Sequence, residues 1–166
     1  VKKQAISPEK FFLSAVESVR MPESFDSVPD YDSPLFWPVV SLNEAYRRGN
    51  LSPVEVLEEA IVRAEAFNPS LNAYLERLDK QARLQAKAAE KRFRNSKKDI
   101  PLLCGVPISI KDTFDLAGSV TTYGSVFFRE NRTAQDCGLV KRLRDAGAVF
   151  TGKTNTPEFG QSATTE

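Results

Sequence analysis

Two short apolar runs, separated by a helical pattern, constrain the fold of this chain more than any other feature of its sequence. Residues 106–111 and 148–151 are rich in the branched and aromatic residues that favour buried strands. Between them we predict a helix capped by Asp136 and stopped by Gly147. Its inward-facing residues are predicted to be Leu139, Val140 and Leu143. The order strand, helix, strand predicts an α/β fold with a mostly parallel mixed sheet covered by helices.

Capping signals place further helices upstream of these strands. Ser41 and Ser52 are each followed three residues later by a glutamate, the capping-box pattern that predicts a helix start. The second of these helices is expected to end near Asn68-Pro69, because a proline disfavours helical backbone before it. A short strand or turn is expected within residues 71–78. Asp79 is predicted to cap a long basic helix that runs to about Ser96.

Composition excludes several classes of partner. Twenty-three Lys and Arg against 22 Asp and Glu give a net charge of +1, which provides no global field for nucleic acid or an anionic membrane. The basic residues between Lys80 and Lys98 are interpreted as a solvated helix face, since no aromatic platform interleaves them. No apolar stretch approaches the roughly 18 residues of a membrane span. Cys104 and Cys137 lack metal-ligand spacing, which favours free thiols, no metal site and a cytoplasmic location.

The absence of histidine directs attention to a lysine. These 166 residues contain no histidine, so the base must be Lys, Asp, Glu or Tyr unless sequence outside them supplies a histidine. In an extended strand Lys111 shares one face with Ser109, while Ile108 and Ile110 occupy the other. Asp112 points away if the strand continues, and a carboxylate beside the ammonium would hold it charged. We therefore predict Lys111 at a strand end, inside the fold or lining a cleft, without a carboxylate at ion-pair distance.

Three motifs in a fixed order carry a family resemblance. They are Gly-Val-Pro-Ile-Ser-Ile-Lys-Asp at 105–112, Thr-Thr-Tyr-Gly-Ser at 121–125 and Gly-Lys-Thr-Asn-Thr-Pro-Glu-Phe-Gly at 152–160. In order and spacing they resemble the amidase signature family, whose opening helices the helix after Ser52 also resembles. The resemblance covers residues 40–166, which are interpreted as the N-terminal part of an amidase domain. Residues 1–39 are set apart as an N-terminal extension or arm.

The resemblance implies a Ser-Ser-Lys triad in which Lys111 is the terminal base. It would draw a proton, through a bridging serine, from the nucleophilic serine that forms the acyl-enzyme. In the family both serines belong to a Gly- and Ser-rich signature, which this sequence does not contain. Both serines are therefore expected beyond Glu166, and the 166-residue piece is expected to be inactive alone. Lys153 is implied to be scaffolding beside the site. Phe159, Gly160 and Gln161 either line the acyl pocket or are plain turn and core residues.

This reading needs no metal and no organic cofactor, and its partner is a small-molecule amide. Relatives act on simple, fatty-acid, peptide and cyclic amides or transfer an amide group to charged tRNA, so the substrate stays open. Assembly into a homo-oligomer also stays open. A non-catalytic subunit that keeps the scaffold without turning over substrate is an alternative.

Other motifs suggest different chemistry. Residues 147–154 fit the Walker A pattern of a nucleotide-binding module, but a P-loop needs a strand before its first glycine and a helix at its Lys-Thr. Here a helix is predicted to end at Gly147 and a strand to follow. Ser7 and Lys10 fit the Ser-x-x-Lys pattern, although a Ser-Pro helix start explains them better. Ser109 could meet Lys111 on the strand, yet no glycine turn adjoins it to hold an oxyanion.

Overall fold

The computed structural model describes residues 33–95 and 98–165 of the chain. Four α-helices and three strands lie in these ranges. In chain order they are α1 (Val39–Arg48), α2 (Pro53–Leu71), β1 (Tyr74–Arg77), α3 (Asp79–Asn95), β2 (Pro107–Lys111), α4 (Gly138–Asp145) and β3 (Val149–Thr154). The helix predicted to start at Ser7, and the Ser7 and Lys10 motif with it, lie outside the described residues.

The strands form one mixed sheet in the order β1-β3-β2. β2 pairs with β3 in parallel, from Pro107 beside Val149 to Lys111 beside Thr154, and α4 connects the two strands. β1 pairs with β3 antiparallel, with Arg77 opposite Gly152. The predicted α/β class is confirmed, with one parallel and one antiparallel pair in the described part. The strand predicted at 148–151 is also present and continues to Thr154.

Helices cover both faces of this sheet, because alternate residues of β3 point to opposite sides. Fully buried Val149 packs with residues of α2 and α3, namely Leu57, Ile61, Ala82 and Ala86. Its neighbour Phe150 packs on the other side with Ile110, Leu116 and Val140 of β2, the following loop and α4. No helix of the described residues is long and apolar enough to cross a membrane.

A glycine lets β1 approach β3. A Cβ added at Gly152 would overlap the carbonyl oxygen of Glu76 on β1 and would lie 2.9 Å from the Tyr74 ring. Any side chain at position 152 would therefore push the two strands apart. The glycine that suggested a phosphate loop in the sequence serves close strand packing in the structure.

The capping box at Ser52 is confirmed. The Ser52 Oγ accepts a hydrogen bond from the Val54 amide at 3.0 Å, and Glu55 Oε2 accepts one from the Ser52 amide at 2.7 Å. The predicted end near Asn68-Pro69 is wrong by about one turn, since α2 continues through Pro69 to Leu71. Asn68 holds this last turn: its carbonyl accepts from the Asn72 amide and its side chain accepts from the Tyr74 amide, at 2.8 and 2.7 Å.

The capping box predicted at Ser41 is wrong. α1 begins two residues earlier, at Val39, and the carbonyl of Pro38 accepts the first helical hydrogen bond from the Leu42 amide at 3.1 Å. Proline fixes an extended backbone before the helix and defines its start without a side-chain cap. Ser41 is consequently an exposed residue within the first turn of α1.

The predicted start of α4 needs two corrections. Asp136 does not cap the helix, because its carboxylate accepts from the Ala117 amide at 2.8 Å and pairs with Arg144; Cys137 is the N-cap residue. Leu139 is 46% exposed instead of inward-facing, whereas Val140 is fully buried as predicted. The N-cap is therefore one residue later than predicted, and Leu143 is partly buried against the same core as Val140. Gly147 follows the helix with a left-handed backbone, in agreement with its predicted role as a stop signal.

Candidate active site

The candidate site lies where β2 and β3 end side by side. Because the strands are parallel, their carboxyl ends lie at the same edge of the sheet, and the segments that follow them meet there. The Asp112 amide donates to the Thr154 carbonyl at 3.0 Å, and the Tyr123 amide donates to the Asp112 carbonyl at 3.1 Å. The Phe159 amide in turn donates to the Tyr123 carbonyl at 2.6 Å. Backbone hydrogen bonds thus bring the three sequence motifs to one edge.

Lys111 is the last residue of β2 and its side chain is exposed at this edge. Ile110 beside it is buried and Ser109 is exposed, so the predicted alternation of the strand is confirmed. Of the two predicted positions, inside the fold or lining a cleft, the first is wrong for the described residues because the Lys111 side chain is exposed, and the second stays a prediction. No described acidic side chain makes an ion pair with Lys111, and the absence of a carboxylate partner from the whole site stays a prediction.

Gly160 of the 155–161 segment lies beside the Lys111 amine. A Cβ built at Gly160 would lie 3.6 Å from Lys111 Nζ and 3.6 Å from the Thr113 methyl group. Gly160 has a positive φ of 69°, and Phe159 before it is also left-handed at 51°. Two successive left-handed residues fold this segment back toward the end of β2. The structure therefore brings Gly160 to Lys111, and Phe159, Gly160 and Gln161 are all exposed.

Phe159 belongs to a row of three aromatic rings that the sequence did not reveal as a group. Its ring meets Phe128 edge to face at a centroid distance of 6.2 Å, and Phe128 meets Tyr123 in the same way at 5.4 Å. Phe159 is 53% exposed and Phe128 is 37% exposed. The aromatic residues at 127–128, in an otherwise polar loop, were the available signal for this row. Edge-to-face contacts hold the rings in place while part of their surface stays open to a ligand.

Asp112 and Lys153 form a buried ion pair beneath the site. Lys153 Nζ lies 2.8 Å from Asp112 Oδ1, and both side chains are 1% exposed. The ammonium also donates to the Phe114 carbonyl and to Thr121 Oγ1, each at 2.8 Å. The Lys153 side chain is thus enclosed in the scaffold. This position is compatible with the role that the resemblance implied for it.

Another acidic side chain near the site is already hydrogen-bonded. The Tyr123 hydroxyl donates to Asp115 Oδ1 at 2.8 Å. That hydrogen bond, with burial as a smaller cause, raises the pKa of Tyr123 above its ordinary value. Tyr123 is consequently a hydrogen-bond donor at neutral pH and a poor candidate for a general base.

Residues 147–154 do not form a phosphate loop. Gly147 ends the region of α4, and residues 149–154 are the central strand of the sheet, as predicted. A Walker A lysine must reach a phosphate in solution, whereas the Lys153 ammonium is buried and paired.

Within the described ranges no group of His, Cys, Asp and Glu side chains is arranged to hold a metal ion. Cys104 is buried and Cys137 is partly buried, and both are free thiols. Burial raises the pKa of the Cys104 thiol, which disfavours its reactive thiolate.

Fold and site together define an α/β domain that carries Lys111 at the carboxyl edge of its parallel strands. Known proteins are similar to this chain in sequence and in fold. The family model described as Amidase matches residues 55–166. Indoleacetamide hydrolase of Bradyrhizobium diazoefficiens is 39% identical over 74% of this chain and 23% of its own length. A glutamyl-tRNA(Gln) amidotransferase subunit from Syntrophobacter fumaroxidans is 36% identical over 75% of this chain and 25% of its own length.

A solved structure agrees with these sequence relatives. A bacterial aryl acylamidase, described as a member of the amidase signature enzymes, superposes with a TM-score of 0.70 at 29% identity, over 81% of this chain and 28% of that one. The chain therefore belongs to the amidase family, as its motifs indicated. It spans about a quarter of the length of the curated relatives it matches.

Proposed function

We propose that the protein carrying this chain cleaves carboxamide bonds through a serine acyl-enzyme, with Lys111 as the terminal base. The observation that supports this most directly is the state of Lys111. Its amine is exposed at the edge where the three motifs meet, and no described carboxylate holds it in the charged form. The neighbouring Asp112 is directed into the interior and bound by Lys153.

The chemistry proposed for this site is a proton relay. A nucleophilic serine attacks the amide carbonyl while its proton passes through a bridging serine to Lys111 Nζ. The proton then returns through the relay to the leaving nitrogen as the C–N bond breaks. Water next attacks the acyl-enzyme ester and gives a proton to the relay, which returns it to the nucleophilic serine as the carboxylic acid leaves. The two serines belong to a motif that residues 1–166 do not contain. We propose that they lie beyond Glu166, and that residues 40–166 are the N-terminal part of their domain.

The proposed substrate is a small-molecule amide, and the proposed location is the cytoplasm. Relatives include an indoleacetamide hydrolase and an aryl acylamidase, and the ring row of Tyr123, Phe128 and Phe159 offers apolar surface beside Lys111. Both favour an amide with an aromatic or apolar group over a small polar one. The alternative is transfer of the amide nitrogen to a second acceptor, because one relative is an amidotransferase subunit.

Ammonia release tests this function on the gene product. We expect ammonia from at least one of indole-3-acetamide, benzamide, a long-chain primary amide and glutamine, with inactivation by a serine-reactive fluorophosphonate. Ammonia without fluorophosphonate sensitivity would contradict the serine acyl-enzyme. A gene product that neither turns over amides nor is labelled would instead support the non-catalytic subunit.

Calorimetry tests the nucleotide-binding alternative on the unaltered chain. We expect no heat from ATP or GTP with Mg²⁺, because residues 147–154 are a strand whose lysine is buried. The unaltered protein is the right sample, since removing Lys153 would leave Asp112 as a buried unpaired charge. Binding at micromolar concentration would contradict our interpretation.

A further inference from the structure

The most completely enclosed charges in the described residues are Asp112 and Lys153, the pair directly beneath Lys111. The Lys153 ammonium forms an ion pair with Asp112 Oδ1 and donates hydrogen bonds to the Phe114 carbonyl and Thr121 Oγ1, while Asp112 Oδ1 itself accepts no hydrogen bond. The second carboxylate oxygen accepts from the Thr122 amide at 2.9 Å and from the Thr122 hydroxyl. A buried pair of this kind adds little net stability over an apolar pair, but removing one partner is costly. Its retention calls for an explanation besides stability.

The position of Asp112 in the chain offers that explanation. It follows Lys111 directly, so its carboxylate and the Lys111 amine point to opposite sides of the same short stretch of backbone. Charges inside a protein are weakly screened, and an unneutralised carboxylate there would act on Lys111 across the strand. Its field would favour the ammonium over the neutral amine. The positive charge of Lys153, 2.8 Å from Asp112, cancels most of this field.

The other charged or titratable groups near Lys111 do not substitute for this pair. On the elements around it they are Asp115, Tyr123 and Glu158. Asp115 accepts a hydrogen bond from the Tyr123 hydroxyl, and this hydrogen bond raises the pKa of Tyr123. Glu158, exposed on the 158–160 turn, makes no ion pair with Lys111.

We infer that Lys153 is a positioning residue that neutralises Asp112 and thereby allows Lys111 to lose its proton. The inference gives Lys153 an electrostatic role in addition to its structural one. It rests on the proposed function only because that function would use a neutral Lys111 as a base. The electrostatic effect itself exists whether or not the protein turns over amides.

Competitive acetylation measures this effect without an activity assay. The full chain is treated with trace acetic anhydride between pH 7 and 11, and the Lys111 and Lys91 peptides are quantified by mass spectrometry. Lys91 on α3 is exposed and serves as the internal control. With Lys153→Met we expect half-maximal labelling of Lys111 to move up by about one pH unit, the size of a weakly screened charge at this range. With Asp112→Asn we expect a downward shift, because the Lys153 charge is then unopposed.

The double variant Asp112→Asn with Lys153→Met carries neither charge and should label Lys111 near the wild-type pH. It also guards against misfolding, since no buried charge is left unpaired. If Lys153→Met does not fold, the inference is tested by comparing Asp112→Asn with the double variant. Half-maximal labelling of Lys111 should then occur at a lower pH in Asp112→Asn. Lys111 labelling that does not shift relative to Lys91, or shifts in the same direction in all three variants, would overturn the inference.

The outcomes separate this inference from the proposed function. Shifts of opposite sign, together with full amide turnover by Lys111→Ala, would support the electrostatic role and refute Lys111 as the base. Loss of amide turnover in Lys111→Ala would support Lys111 as the base. If Lys111 labelling did not shift in the Lys153→Met and Asp112→Asn variants, the electrostatic role of Lys153 would be refuted at the same time.

Discussion

Lys111 and Lys153 show how position decides the chemistry of a residue. Both lie at the carboxyl ends of parallel strands, and Lys153 is paired in register with Ile110, the residue before Lys111. Lys153 points into the interior, where it needs an anion, and Asp112 supplies it. Lys111 points outward at the end of its strand and has no anionic partner among the described residues. Only the second arrangement leaves a lysine free to accept a proton.

Asp136 provides a prediction about stability at the residue scale. Its carboxylate receives two hydrogen bonds from Arg144, one of them at 2.9 Å, and one from the Ala117 amide. Asp136→Asn should lower the free energy of unfolding by about 1–3 kcal/mol at pH 7, the usual cost of breaking a charged hydrogen-bonded pair. Urea unfolding measures it. The matched control is Asp145→Asn, which removes an exposed pair with Lys141 and should change stability by less than about 0.5 kcal/mol.

The same pair predicts a pH dependence with a definite sign. The Arg144 hydrogen bonds hold the pKa of Asp136 below its ordinary value of 3.8. A lowered pKa in the folded state contributes stability above the unfolded pKa and loses it as pH falls through the folded one. The difference between wild type and Asp136→Asn should therefore be constant at neutral pH and shrink below pH 3.8. A difference that grows in acid would contradict this assignment.

At the scale of elements, helix starts were predictable only where the sequence signal had no competitor. Ser52, Glu55 and the proline at position 53 all favour a helix that starts at Pro53, where α2 begins. At Ser41 the same pattern was overridden by Pro38, and at Asp136 the predicted cap was drawn into a pair with Arg144 on the far end of its own helix. Strand positions were predicted correctly because short β-prone runs bounded by glycine and proline leave few alternatives.

The two serines give a paired test of this explanation. Ser52→Ala removes a hydrogen bond to the first turn of α2 and should cost about 1 kcal/mol of unfolding free energy. Ser41→Ala replaces an exposed residue inside α1 with a better helix former and should be neutral or stabilise by a few tenths of a kcal/mol. Thermal unfolding of both variants under one condition compares them. Equal losses would show that Ser41 caps a helix after all.

At the scale of the whole molecule, the sequence predicted the fold class and the strand that carries Lys111. It did not predict the exposure of Lys111 or the row of Tyr123, Phe128 and Phe159. Exposure depends on what lies beyond the strand end, and the ring row depends on how two loops meet. Both are tertiary properties of segments without periodicity. The partner of Lys153 was equally hidden, because Asp112 lies 41 positions earlier in the chain.

The central claim is that Lys111 is the base of an amide-cleaving site, and kcat/KM of the gene product tests it most directly. Lys111→Ala should lower kcat/KM for amide hydrolysis by about 10²- to 10⁴-fold with the fold intact, because the serine relay then has no proton acceptor. Lys111→Arg should be nearly as inactive, since a guanidinium stays protonated at usable pH. Lys91→Ala, an exposed lysine on α3, should match wild type. Lys111→Ala or Lys111→Arg with wild-type kcat/KM would contradict the account.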